Sequence, residues 1–369
     1  MTPEELELLS ELTIITPTCN RPLELERAIE YWRDLPVTVH IIDGAIKPSF
    51  SLGQLVYRPA KIYYHSVPPE LNEKPMENYA RRLVKGMTLI QTKFGAQLAD
   101  DDFFTTSGLC RALAILKTNE KIDAVIGKCA TYNVDQQNVV WEKKYLNWVH
   151  DDLLQDDLLS IRINNDPGKY LVYYGVLRSE ILRAIHSRAN SFVFSDFRKN
   201  ELIAHHLGLA YCRTMLIEEY LWVRQKALMK NPNYNYLIRP TEVSENRRLI
   251  DIFFEAFSEI DPSGSDDLKL KWASQKVKLI ENRLKADDKK YMIITELTKI
   301  AVFETAVKRF LMKLILSSPK YVLLVVLKVA PSRFKKAIGD ASPPDFEDKH
   351  YLENLLTKPR EELRLRANI

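Results

Sequence analysis

LTIITPTCNRPLELERAI, residues 12–29, carries three structural instructions in a row. LTIIT (12–16) is a short apolar run rich in β-branched residues and reads as a buried strand. PTCNRP is a turn, and LELERAIEYWRDL (23–35) repeats its apolar residues at a spacing near 3.6, the signature of a helix. VTVHIID (37–43) then gives a second strand ending at Asp43-Gly44. QLVYR and KIYYHS are shorter strand candidates, and Met76 to Ile90 reads as a helix. FGAQLA is a strand, SGLCRALAILK (107–117) a helix and IDAVIG another strand. Strands that alternate with helices imply parallel pairing, with helices on both faces of a Rossmann-like α/β sheet. In such sheets ligands bind at the carboxyl ends of the strands. Asn20 and Arg21, Asp43, and Asp100 to Asp102 each fall just past a strand end.

The rest of the chain is organised differently. From Tyr132 to about Val176 the pattern is irregular and predicts a β excursion and a helix covering the sheet. SDFRKNELIAHHLG (195–208) predicts a helix with Ser195 as N-cap and Gly208 as C-cap. Past a PNYNYLIRP linker (232–240), helical patterns cover 245–260, 266–286 and 289–316. Two domains are therefore expected, 1–240 carrying the sheet and 241–369 helical.

Composition narrows the classes. The 369 residues, 46% hydrophobic and 28% charged, describe a folded chain able to bury a sizeable core. Cys19, Cys110, Cys129 and Cys212 are far apart and form no CxxC pattern, which reads as reduced thiols in a cytoplasmic setting. The N-terminus, MTPEELELLSEL, has neither the basic nor the apolar region of a signal peptide. The net charge of +4 hides a concentration. Residues 299–338 hold nine basic residues and one acid, a sum of +8, so the remainder sums to −4. A nucleic-acid partner would place that charge on the main domain. Here it accompanies Leu, Val and Phe in KRFLMKLILSSPKYVLLVVLKVAPSRFKKAIG, which reads either as a helix pair with lysines reaching solvent or as a peripheral contact with an anionic membrane surface.

The stretch QLADDDFF raises the chemical question, because three adjacent carboxylates repel one another. Neither GxGxxG nor GxxxxGK[ST] occurs, so a diphosphate would have to be held without a glycine-rich loop. A divalent cation, Mg²⁺ or Mn²⁺, bridging carboxylate and phosphate oxygens does that. The rival reading of the acids is plain capping of the next helix.

LTIITPTCNRPLELERAI, VHIIDGA and QLADDDFF together resemble the family 2-like glycosyltransferases of GT-A fold, over roughly residues 12–225. The resemblance implies an inverting, metal-dependent enzyme moving a sugar from a nucleotide-diphosphate donor to a glycan or lipid-linked acceptor, in surface polysaccharide or glycoconjugate synthesis. It implies that Pro17 and Cys19 lie against the base, Asp43 accepts from base or ribose, and Asp100 and Asp101 lie near ribose or metal. Asp102, with Asp100, would ligate the metal. Three acids in a row leave that register open by one position, and Cys19 stands where the family commonly has Tyr. The family's base maps onto SDFRKNELIAHHLG, giving Asp196 as the first choice and Glu201 as the reserve. A sugar nucleotidyltransferase and a membrane-associated scaffold on a degenerate transferase fold are the alternatives.

Overall fold

The computed structural model describes residues 1–48, 53–55, 59–135, 138–144, 159, 172–194, 197–225, 243–303 and 344–358. The expected strand–turn–helix opens the fold: β1 (Leu12–Thr18) is buried throughout and α2 (Pro22–Trp32) follows a short first helix, α1 (Pro3–Ser10). Pro22 starts α2, where its missing N–H costs nothing. Then come β2 (Thr38–Asp43), β3 (Gly53–Leu55), β4 (Lys61–Ser66), α3 (Pro75–Thr88), β5 (Phe94–Gln97), β6 (Phe103–Phe104) and α4 (Thr106–Thr118). β7 (Ala124–Asp135), β8 (Asn138–Lys144), β9 (Val176–Arg178), α5 (Ser179–Ala189), α6 (Phe197–Tyr211) and β10 (Thr214–Gln225) complete the α/β part. α7 (Val243–Ile260), α8 (Asp266–Phe303) and α9 (Lys349–Thr357) are the described helices of the C-terminal region.

The described strands form one ten-stranded mixed sheet in the order β3-β4-β2-β1-β5-β9-β7-β10-β6, with β8 paired to β7. β4, β2, β1 and β5 run parallel, as do β7 and β10, whereas β9 is antiparallel to both its neighbours. Alternation along β1 explains the layers. Ile14 joins the large core with Val39, Ile41, Leu25, Ile29 and Leu113, the side covered by α2 and α4. Ile15 points the other way, onto α3, where a Cβ on Gly86 would lie 2.4 Å from it. Helices therefore cover both faces, and Trp32, Phe94, Phe103 and Phe104 are fully buried, each contributing about 1.5–3 kcal/mol by burial.

By contacts the chain forms two compact units, 1–277 with 344–369, and 278–343. The first unit takes in α7, which sequence reasoning assigned to a separate helical domain from 241. It also takes in α9, whose Leu352, Leu355 and Leu356 enter the main core. Asp348 accepts hydrogen bonds from the Thr106 N–H at 2.5 Å and the Tyr31 hydroxyl at 3.2 Å, tying the late segment to α4 and α2. α8 is one helix where two were expected. α6 runs past Gly208, the expected C-cap, to Tyr211; a Cβ on Gly208 would lie 3.0 Å from Val172, so this glycine serves close packing. No described helix is long and apolar enough to cross a membrane. Most of the basic-apolar segment, 304–343, lies outside the described residues.

Buried histidines make stability pH-dependent. Burial, with His65 adding a like charge, lowers the His40 pKa from 6.5 to about 4, and burial lowers His186 to about 3. Below pH 6.5 the unfolded chain takes up protons that these folded sites refuse, so this contribution to stability is lost as pH falls. We predict a shallower loss for His40→Gln than for the wild type in urea denaturation between pH 6.5 and 4; identical slopes would contradict it.

Candidate active site

The site is built on the tips of three neighbouring parallel strands, β2, β1 and β5. Thr18, the last residue of β1, is registered opposite Asp43, the last of β2. Its carbonyl accepts from the Gly44 N–H at 2.9 Å and from Arg82 at 2.5 Å, and its hydroxyl donates to Asp100 at 2.6 Å. One residue thus joins two acidic strand tips.

Asn20 follows with φ 56°, the left-handed conformation that Asn tolerates better than most residues. That turn aims Arg21 back over the acids, where one guanidinium nitrogen binds Asp100 at 2.6 Å and another binds Asp101 at 2.7 Å. A cation does sit against two of the three carboxylates, and it is Arg21. Such charge-assisted, forked bonds are stronger than neutral ones.

The third acid faces elsewhere. Asp102 accepts from the Trp222 indole N–H at 3.1 Å and the Gln225 backbone N–H at 3.0 Å. β10 brings these donors, since Trp222 is registered opposite Phe104 on β6. Burial, followed by the Asp101 charge, pushes the Asp102 pKa well up against the pull of Arg224. Burial also raises Asp100, with Arg21 acting against it and Asp101 adding to it.

Asp43 is 1% exposed and accepts from the Ala45 N–H at 2.8 Å and the Tyr64 hydroxyl at 2.5 Å. Beside it Arg82, from α3, is 6% exposed. Cys19, Asp43 and Asp100 all act electrostatically on Arg82, so these three expected residues lie near it. Cys19 is half-buried there, and burial raises its thiol pKa while Arg82 opposes that. Gly44 permits the approach: a Cβ would lie 2.6 Å from Asn78 and 2.7 Å from the Arg82 Nε. Pro17 is buried within β1.

Asp196, the first choice for the base, lies outside the described residues, immediately before α6. Glu201, the reserve, is connected to the acidic cluster. It accepts from the Tyr174 hydroxyl at 2.8 Å, and the Tyr174 ring stacks on Trp222 at 4.0 Å and 12°. Arg224 lies over both rings, 5.9 Å from the Tyr174 centroid and 5.2 Å from the Trp222 centroid. Burial would raise the Glu201 pKa, but His205, Arg224 and Tyr174 together lower it to about 2.

The donor set suits a hard cation. Asp100 and Asp102 carry carboxylate oxygens, and all four already accept hydrogen bonds, Asp100 from Thr18 and Arg21 and Asp102 from Trp222 and Gln225. No three or more metal-ligating side chains gather at one point among the described residues. An ion here would thus take one or two carboxylates and complete its shell from substrate phosphates and water, the usual arrangement for Mg²⁺. Binding through the oxygens of Asp100 or Asp101 that Arg21 holds would require Arg21 to release them.

Sequence reasoning missed Thr18, Tyr64, Arg82, Tyr174 and Trp222. Asn78 and Arg82 did leave a signal, as buried polar residues four apart on a helix whose Met76, Ala80, Leu83 and Met87 are also buried.

No family model and no curated protein matches the sequence. Among solved structures, S. aureus TarS 1–349 in complex with UDP aligns at 12% identity and a TM-score of 0.38, over 76% of this chain and 91% of that one. TarS 1–349 in complex with UDP-GlcNAc aligns at 11% identity and a TM-score of 0.34, over the same shares. A longer TarS chain aligns at 10% identity and a TM-score of 0.37, over 74% of this chain and 55% of that one. Likenesses this distant assign no activity to this chain.

The Thr18 hydroxyl gives a test. Thr18→Val keeps the shape and strands the buried Asp100 carboxylate without that donor, so it should cost about 1–3 kcal/mol in denaturant unfolding. No measurable change would show that Thr18 does not hold the acidic turn.

Proposed function

We propose that the chain is an inverting glycosyltransferase of GT-A type, moving a sugar from a nucleotide-diphosphate donor to a glycan or lipid-linked acceptor in surface polysaccharide or glycoconjugate synthesis. The observation that carries this reading is the convergence of Asp43, Cys19 and Asp100 around Arg82 and Thr18, at the carboxyl ends of three adjacent parallel strands. An open α/β sheet binds its ligand at that place. Acceptor and pathway rest on the sequence resemblance alone.

In this reading Asp43, fixed by Tyr64 and Ala45, orients the base or ribose of the donor. Pro17 and Cys19 flank the base. Arg21 offers positive charge towards the diphosphate from the acidic turn it already holds. A divalent ion held by Asp102 and Asp100 would, when bound, neutralise charge on the departing diphosphate. Asp196 takes the proton from the acceptor hydroxyl, whose oxygen bonds to the anomeric carbon. The carbon–oxygen bond to the diphosphate breaks, and the diphosphate leaves with the electron pair. Glu201, with its pKa held low, is a weak base and suits the task of fixing Tyr174.

Isothermal titration with UDP, GDP and TDP, with and without Mn²⁺, is the test. One nucleotide should bind more tightly with metal, and Asp102→Ala should weaken it roughly tenfold or more. Asp196→Asn should slow turnover by about 10²–10⁴-fold while sparing that binding. Binding of none of the three, or binding indifferent to metal and to Asp102→Ala, would overturn the proposal.

A further inference from the structure

Behind Glu201, between α5, α6 and the short 3-10 turn Val172–Tyr174, lies a cavity of about 10 Å³. That is the room one water molecule needs. Its lining includes polar side chains with unpartnered atoms. His186, on α5, is 1% exposed, and neither of its ring nitrogens has a hydrogen-bond partner. Asn200, on α6, is 5% exposed, and both polar atoms of its amide lack a partner. Asn190, capping α5, donates from Nδ2 to the His186 carbonyl at 2.8 Å, which leaves its buried Oδ1 without a donor. Three side chains with unpartnered buried polar atoms thus line one small space, and Glu201 lines it too.

Each such atom left unpaired costs about 1–3 kcal/mol, and one water can bond an atom from each of the three side chains. They cannot readily satisfy one another, because His186 and Asn200 come from different helices and make no direct bond. They do form a complementary set. An asparagine amide offers both donor and acceptor, and an imidazole kept neutral by burial offers one of each.

We propose that this cavity is a binding site for an ordered water molecule held by His186, Asn190 and Asn200, which fixes the position of Glu201 on α6. Asn200 and Glu201 are adjacent in sequence, so anchoring one restrains the other. Glu201 in turn holds the Tyr174 hydroxyl, and Tyr174 supports Trp222, the donor to Asp102. His186 and Asn200 are then positioning residues for the acidic cluster, although they touch neither substrate nor metal. This last step rests on the proposed transferase reading, whereas the water site does not.

The two parts are tested separately. A high-resolution crystal structure of the intact protein should show density for water within hydrogen-bond distance of His186 and Asn200. A dry cavity would overturn the site. Thermal unfolding of His186→Phe and Asn200→Leu provides a second readout with an informative sign. If the polar atoms are paired through water, both variants melt below the wild type; if the atoms are unpaired, removing them raises the melting temperature, and the proposal fails. For the positioning role, His186→Phe should lower donor turnover about tenfold with nucleotide affinity unchanged, and His186→Gln should restore much of it. Unchanged turnover in His186→Phe would overturn that role, while failure of the wild type to bind any nucleotide would count against the transferase reading alone.

Discussion

The whole site depends on how three neighbouring carboxylates are kept from pushing one another apart. Asp100 and Asp101 share the Arg21 guanidinium, while Asp102 turns towards Trp222 and Gln225. One charged pair of contacts and one neutral pair therefore hold the turn between β5 and β6. Without Arg21, Asp100 at 3% exposure would keep only the neutral Thr18 hydroxyl against the like charge of Asp101. Thr18 then links this turn to β2, since its carbonyl and hydroxyl face different partners. The acidic turn and the end of β2 are one connected structure.

That connection explains the placing of residues with no apparent chemistry of their own. Gly44 leaves room for Arg82, and Asn20 adopts a left-handed turn that directs Arg21. The aromatic pair of Tyr174 and Trp222 extends the same framework from Asp102 to Glu201. Backbone shape, packing and charge placement converge on one end of the sheet.

Local signals made much of this legible from the sequence. The strands 12–18 and 38–43 and the helices at 22–32, 75–88 and 106–118 follow simple apolar periods. β10 was not legible. Its burial alternates irregularly, with register shifts between Leu216 and Tyr220 and again before Trp222, so no clean period of two survives. With β10 unread, the donors to Asp102 could not be found, for Trp222 stands 120 residues away in the chain. Arg21 was seen at a strand end, but its 79-residue reach to Asp100 is a tertiary fact. The expected C-cap at Gly208 failed for a related reason, because the contact that requires a glycine comes from Val172. Sequence periodicity reports which face of an element is buried; it does not report against what.

The most direct measurement is a crystal structure of the protein with the nucleoside diphosphate it binds and Mn²⁺. The account predicts the base beside Asp43 and Cys19, and the diphosphate between Arg21 and Asp102. A nucleotide seated anywhere else, with the Arg21 bridge and the strand tips untouched, would contradict it.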